Sequence, residues 1–308
     1  MNPPPAIAII IVSYNTQALL LECLASVVES TQGHDIELVV VDNASTDGSY
    51  EAARDTYRQA LVIGNSTNRG FGAACNQAFR ATRSPFVLLV NSDARLTAEA
   101  FRALCDCMRL KDSCAAAGCR MTHPTGAPLV NTRYFLTPLN QAMEQAGLFT
   151  WLRGGTLRRT YRPVLGADRI DCSVDWIDGA CLMLRRAALD EVGLFDEQFF
   201  MYSEDEDLCF RLKRRGWSIC FSAAGAAIHH GGASAAVNRS AMLRQFYRSQ
   251  LLFLHKHRGR AAALFYRTAM QAVFMVKLLL ARWPSQKPRR QEMAQRLAAL
   301  KQVRDSST

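Results

Sequence analysis

Three apolar runs of strand length each end in polar residues, and their order along the chain constrains the fold more than any other feature. They end at Ile11-Val-Ser-Tyr-Asn15, at Val39-Val-Val-Asp-Asn-Ala-Ser-Thr-Asp-Gly48 and at Leu88-Leu-Val-Asn-Ser-Asp93. A fourth motif, Phe199-Phe-Met-Tyr-Ser-Glu-Asp-Glu-Asp207, adds a cluster of carboxylates. Helix-period segments lie between the runs, so this part of the chain reads as βα units around a mostly parallel sheet. Strands are expected at 6–12, 36–41, 61–64 and 86–90. Helices are expected through Leu19, Leu20, Cys23, Leu24 and Val27, from near Asp47, over 73–81 and over 98–110. Corners of this kind present their polar ends where an open parallel sheet takes its ligands.

After Cys119 the βα rhythm fades. Segment 121–170 carries Pro, Gly and scattered Arg with an amphipathic piece over 138–148, and reads as an insertion or a flexible region. Patterning returns at 174–184, in a helix over 204–215, in strands at 219–221 and 226–229, and in helices over about 239–257, 261–283 and 286–304. A chain of 308 residues with 49% hydrophobic and 21% charged residues can bury a sizeable core. Its ten cysteines sit mostly inside apolar patterns without metal-ligand CxxC spacing, which fits buried reduced thiols in a cytosolic protein. The start Met1-Asn-Pro-Pro-Pro has no basic n-region, and the apolar run that follows is too short for a signal peptide.

The net charge of +10 is unevenly placed. Residues 239–308 hold 15 Lys/Arg against two acids, a balance of +13, while the remainder has 22 basic against 25 acidic residues. A tail so basic can meet nucleic acid or anionic lipid. It lacks interleaved stacking aromatics and any nucleic-acid motif, which argues against the first. Only nine uncharged residues separate Arg267 from Lys277, far below the roughly 20 apolar residues of a spanning helix. A basic amphipathic helix on the bilayer surface, or one packed on the rest of the chain, fits better.

The polar ends have definable chemistry. Asp42, with Asn43 and Ser45 in the next turn, can accept hydrogen bonds from a base or ribose, although a turn or helix cap would use the same residues. Asn68-Arg-Gly-Phe-Gly-Ala-Ala-Cys-Asn76 opens a helix whose N–H groups could approach a diphosphate, or it serves close helix–strand packing. Asp93 together with a diphosphate could hold Mg²⁺ or Mn²⁺, which need only one or two carboxylates beside phosphate oxygens, or Asn91-Ser-Asp93 is a plain strand-end turn. In Ile228-His-His-Gly-Gly-Ala-Ser234 the Gly-Gly turn allows close backbone approach to a ligand beside His229 or His230. The acids of Glu204-Asp-Glu-Asp207 suit a helix N-terminus, yet four together exceed what capping requires. Trp176 could stack on a sugar, with Asp178 and Gly179 shaping a pocket, or it is a buried Trp beside a turn.

Taken in order, these motifs resemble the family 2 glycosyltransferases of the GT-A fold, nearest to bacterial rhamnosyltransferase-like members, over residues 6–258. The resemblance implies a Rossmann-like α/β domain at 1–238 with an acceptor-side segment at 121–170, and a basic helical extension at 239–308. It implies that Ser13, Tyr14, Asn15, Asp42, Asn43, Asn68, Gly70, Asn91, Ser92 and Asp93 bind a nucleotide-diphosphate sugar. Asn91 replaces the first acid of the family's metal-binding DxD motif, and His229 joins Asp93 as metal ligand. On the same resemblance Asp205 would be the general base with Glu204 and Asp207 in support, and Trp176, Asp178, Gly179 and Asp207 would face the acceptor. The implied reaction is inverting transfer to a glycan or polyprenyl-linked acceptor; the nearest resemblance points to dTDP-rhamnose as donor and leaves UDP-hexoses open. A non-catalytic nucleotide-sugar-binding protein of the same fold is the alternative. Nucleotidyl transfer would need a basic phosphate-activating loop that is absent here.

Overall fold

The protein is represented by a computed structural model that describes residues 6–146, 172–231, 239–281 and 287–303. These residues fall into two compact units. The first takes in 6–134, 172–200 and 204–231, and the second 135–146, 201–203, 239–281 and 287–303.

The first unit is built on a sheet whose leading strands are β1 (Ile7–Ser13), β2 (Ile36–Asp42), β3 (Leu61–Gly64) and β4 (Phe86–Asn91). They lie side by side as β3-β2-β1-β4, all parallel. β1 reads Ile-Ala-Ile-Ile-Ile-Val-Ser and is buried on both faces, as a central strand covered by helices must be. The connecting helices are α1 (Gln17–Ser30), α2 (Ser49–Thr56), α3 (Phe71–Ala81) and α4 (Ala98–Leu110), the last capped by the Thr97 hydroxyl, which accepts from the Ala100 N–H. Leu20, Leu24 and Val27 of α1 and Phe101 and Leu104 of α4 enter one core with Ile9, Ile11, Val40 and Leu88 of the sheet.

Beyond β4 the sheet departs from the sequence expectation. A two-residue β5 (Ala94–Arg95) follows, and then β6 (Cys114–Thr122), a nine-residue strand where no element is expected. Its run of alanines lacks the branched residues that mark strands. Two-residue strands β7 (Pro128–Leu129), β8 (Thr132–Arg133), β9 (Cys172–Ser173) and β10 (Trp176–Ile177) precede β11 (Cys181–Arg185), which enters antiparallel between β4 and β6. After α6 (Arg186–Val192) and α7 (Glu204–Arg214), β12 (Ser218–His229) runs parallel to β6 and antiparallel to β5. The two short strands expected at 219–221 and 226–229 are this one strand, with an irregular register between Ser222 and Ala226. α7 ends one residue earlier than expected.

The amphipathic piece expected over 138–148 is α5 (Pro138–Ala146), numbered in chain order before α6, and its last two residues lie outside those described. With α8 (Arg239–Arg258), α9 (Arg260–Leu280) and α10 (Lys287–Gln302) it belongs to the second unit. Nine cysteines among the described residues are free, and all but half-buried Cys105 are buried. Cys119 and Cys181 face each other across β6 and β11 with sulfurs 4.0 Å apart.

Candidate active site

Register aligns the polar strand ends. Ser13 pairs with Asp42 across β1 and β2, and Val12 with Asn91 across β1 and β4, so the three polar termini lie in one row. Buried hydroxyls tie two of them together: the Ser13 and Thr16 hydroxyls are 3.1 Å apart, and Thr16 donates to Ser92 Oγ at 2.9 Å. Asn15 stands at φ +52°, its N–H donating to Ser45 Oγ and its Oδ1 accepting the Thr46 N–H, which clamps the turn after β2. Tyr14, between Ser13 and Asn15, is exposed.

Asp42 is 3% exposed, and the Ser45 N–H donates to its Oδ2 at 2.9 Å. Its Oδ1 is buried with no hydrogen-bond partner among the described residues. An unpaired buried carboxylate oxygen is costly, so it marks a place where a ligand N–H or O–H is wanted. Asn43, by contrast, is saturated. Its Nδ2 donates to Asn68 Oδ1 (2.9 Å) and the Gly70 carbonyl (3.2 Å), while its Oδ1 accepts from Asn65 Nδ2 (3.1 Å) and the Arg69 N–H (2.9 Å). Asn68 Oδ1 also accepts the Gly70 N–H. Asn43 and Asn68 therefore shape the loop with their side chains. Gly70 takes φ +84° and brings its backbone against Phe200, whose carbonyl accepts the Phe71 N–H at 3.0 Å. Asn76, one turn further along α3, bonds the Phe195 backbone and Glu197.

The turn Asn91-Ser-Asp93 leads from β4 into β5. Asp93 is almost fully buried, and its Oδ1 lies 3.0 Å from His229 Nε2, because β5 pairs with the end of β12. His230 meets Asp93 only through a backbone N–H donated to the Asp93 carbonyl. Of the two histidines, His229 is thus the one whose ring joins Asp93. Among the described residues no group of three or more His, Cys, Asp or Glu side chains gathers as a metal site. The Asp93–His229 pair fits a divalent cation that takes its remaining oxygens from substrate phosphates.

A hydrogen-bonded path leads from this turn to the carboxylates. The Asn91 N–H donates to the Ala180 carbonyl, and the neighbouring Gly179 N–H donates to Asp205 Oδ2 at 3.0 Å. Asp205 Oδ1 accepts the Glu206 N–H at 2.9 Å. Asp205 is only half-buried, so this carboxylate is both held and reachable. Burial raises its pKa, opposed by the N–H groups of Gly179 and Glu206. Burial pushes Glu204 well above the usual carboxylate range, with the Asp205 charge adding to it, and its Oε2 finds no partner among the described residues. Asp178 is pushed up to about 7, first by desolvation and then by Asp205, against the opposing pull of Arg133 and His229. Its side chain still keeps 33% of its surface, so solvent screens part of that effect.

Trp176 donates from Nε1 to the Tyr134 carbonyl, and β8 places the half-exposed Arg133 guanidinium 6.0 Å above its ring and 3.8 Å from Asp178. Arg133 is a site residue that sequence reasoning missed, since it lies in the weakly patterned segment after Cys119. Thr16 was missed too; only its adjacency to Ser-Tyr-Asn hinted at it. The structure does not bring Asp207 to the others. Fully buried, it pairs with Arg211 at 2.8 Å, and that guanidinium also donates to the Val192, Gly193 and Leu194 carbonyls. Such an ion pair anchors α7 to the chain after α6, which accounts for the fourth acid without an acceptor.

Residues 3–248 match the model of the glycosyltransferase-like family 2. The chain belongs to this family. It is accordingly a glycosyltransferase of the hexosyltransferase class, and its mostly parallel sheet flanked by helices is the GT-A fold. A relative from Mycobacterium tuberculosis, N-acetylglucosaminyl-diphospho-decaprenol L-rhamnosyltransferase, is 26% identical over 266 residues, covering 82% of this chain and 85% of its own. Among solved structures, the mannosyltransferase PcManGT of Pyrobaculum calidifontis, in complex with GDP-Man and Mn2+, aligns with a TM-score of 0.56 at 16% identity. It covers 97% of this chain and 86% of its own. Residues 1–349 of TarS from S. aureus align at 0.50 and 15% identity, over 96% and 90% of the two chains. At those identities the structural likeness speaks for the fold alone.

Proposed function

We propose that this glycosyltransferase moves rhamnose from dTDP-rhamnose, with inversion, to a polyprenyl-linked or glycan acceptor in cell-surface polysaccharide synthesis. The observation that carries the donor site is the buried, unpaired Oδ1 of Asp42 at the end of β2. A pyrimidine ring N–H would satisfy it, with exposed Tyr14 beside the base. Ser13, Asn15, Asn43, Asn68, Gly70, Asn91 and Ser92 shape the donor cradle, largely through the bonds described above. The rhamnose and lipid-linked assignments are supported by the mycobacterial relative, whose name states both.

Asp93 and His229 would hold Mg²⁺ or Mn²⁺ together with the donor diphosphate. Such an ion, when bound, neutralises charge on the leaving nucleoside diphosphate. The chain's own residues do the rest. Asp205 takes the proton of the acceptor hydroxyl as that oxygen bonds to C1 of the sugar and the C1–O bond to the diphosphate breaks. No protein acid is required for the leaving group, and a single displacement inverts the anomeric centre. Gly179 keeps Asp205 aimed, Glu204 supports it from the buried side, and Trp176 with Asp178 offers the acceptor sugar a stacking face and a hydrogen bond. In this reading 1–238 is the catalytic domain, 121–170 its acceptor-side segment, and 239–308 a helical extension that meets an anionic membrane on the cytoplasmic side. Nucleic acid has no part in it.

Asp205→Asn tests the base. Transfer to a soluble N-acetylglucosaminyl-diphospho-lipid analogue should fall by roughly 10²–10⁴ while dTDP-rhamnose binding persists. Undiminished turnover would remove Asp205 from the mechanism.

A further inference from the structure

α9 carries its apolar side outward. Leu264, Phe265, Met275, Val276, Leu279 and Leu280 each leave 50–70% of their surface exposed. They recur at three- and four-residue intervals, with exposed Ala261, Thr268 and Ala272 filling the same face, so they form one stripe. From Leu264 to Leu280 it is about 24 Å long at the helical rise. No charged residue lies in it. Scattered apolar side chains on a surface are ordinary, but a continuous stripe of this length is an interaction surface.

The opposite side of α9 is committed to its own unit. Tyr266, Met270 and Phe274 are fully buried, the Phe274 ring meets Tyr247 of α8 edge-on, and the Tyr266 hydroxyl bonds Gln250. Arg267 reaches the Val303 carbonyl just past α10. The helix has the length and apolarity that a bilayer crossing requires, more than the nine residues between Arg267 and Lys277 indicate. Crossing, however, would strip this packed side, whereas lying flat uses the outward side as it stands.

Charge selects the occupant. α8 and α9 contain no acidic residue, and Lys256, Arg258 and Arg260 are exposed at the turn where the stripe begins. Residues 239–308 carry +13 in all, so apposing two copies would set like charge against like. An anionic lipid surface complements both the apolar stripe and its basic border. We infer that the Leu264–Leu280 face of α9 lies in the headgroup–acyl boundary of an anionic bilayer, with α8 and α10 on its aqueous side. This deepens the reading of a membrane-borne acceptor and rests on it for its purpose, though its test is read without any transfer.

The test is co-sedimentation of the full chain with phosphatidylcholine vesicles, with and without phosphatidylglycerol. It compares wild type with Leu264→Ser/Phe265→Ser and Leu279→Ser/Leu280→Ser. These side chains are exposed, so thermal unfolding should not move, and transfer to a soluble acceptor analogue should be retained. Wild type should bind the anionic vesicles, less tightly as salt rises, and each double variant should bind on the order of tenfold or more weakly. Equal binding by the variants, or no binding by wild type, would overturn the inference. So would a wild-type dimer in light scattering that the variants abolish, or membrane-expressed protein that resists carbonate extraction as a spanning helix does. Absence of transfer by wild type to the soluble analogue would count against the proposed function and leave the vesicle result standing.

Discussion

Gly70→Ala should part the Asn68–Gly70 loop from the segment that leads into the proposed base Asp205, and its cost can be worked from the coordinates. Gly70 sits at φ +84°, ψ 168°, a region essentially reserved for glycine, where another residue costs about 1–3 kcal/mol. A Cβ there would lie 2.1 Å from the Phe200 carbonyl oxygen and under 3 Å from its carbonyl carbon and Cα. These are backbone atoms, so no rotamer relieves the contact, and the two segments must part by about 1 Å to reach ordinary C···O separation. That lengthens the 3.0 Å bond from the Phe71 N–H to the Phe200 carbonyl beyond use, at about 1 kcal/mol more. The total of roughly 2–4 kcal/mol should lower Tm by on the order of 5–15 °C. Phe200 lies five residues before Asp205, and a 1 Å misplacement of reacting groups costs about 10² in rate. Differential scanning calorimetry and kcat/KM for transfer check both halves. A Tm within a degree or two of wild type, with kcat/KM unchanged, would refute the reasoning.

Two substitutions beside the proposed base should act differently. Arg133→Ala should shift the acidic limb of the kcat/KM profile up, because the guanidinium holds the Asp205 pKa down, whereas Asp178→Asn should leave that limb nearly in place, since Asp178, itself raised to about 7, is largely protonated where Asp205 titrates. Asp178 is raised in the folded state, so its contribution to stability is full below pH 3.8 and is lost as pH rises through about 7. Thermal unfolding at pH 8 should therefore find Asp178→Asn no less stable than wild type, with a flatter pH dependence. Asn43→Asp replaces a donor that serves two acceptors, Asn68 Oδ1 and the Gly70 carbonyl, with an oxygen facing both. It should destabilise by about 2–4 kcal/mol in urea unfolding and weaken donor binding through the loop.

The parallel half of the sheet was legible because doubly buried strands such as Ile7–Ser13 read as unbroken branched runs, and their polar ends announced the site. β6 was not, since Cys-Ala-Ala-Ala-Gly-Cys gives no branched or alternating signal, and two-residue strands such as β8 and β10 fall below any pattern. Arg133 reaches the carboxylates only because β8 pairs with β10, a long-range contact without local trace. Sequence also could not separate Asn43 and Asn68 as loop builders from Asp42, whose second oxygen is left open; that distinction depends on who donates to whom. For Asp207, the helix position was legible, but its buried partner Arg211 was masked by the run of acids. On α9 the period revealed two faces without saying which one the unit would cover.

The most direct measurement is calorimetric titration of dTDP-rhamnose into the enzyme, with and without Mn²⁺, for wild type and Asp93→Ala. If Asp93 and His229 complete a cation site with the donor diphosphate, wild type should bind at least tenfold tighter with Mn²⁺, and the variant should lose that gain while staying folded. Metal-independent binding of the same affinity in both proteins would contradict it.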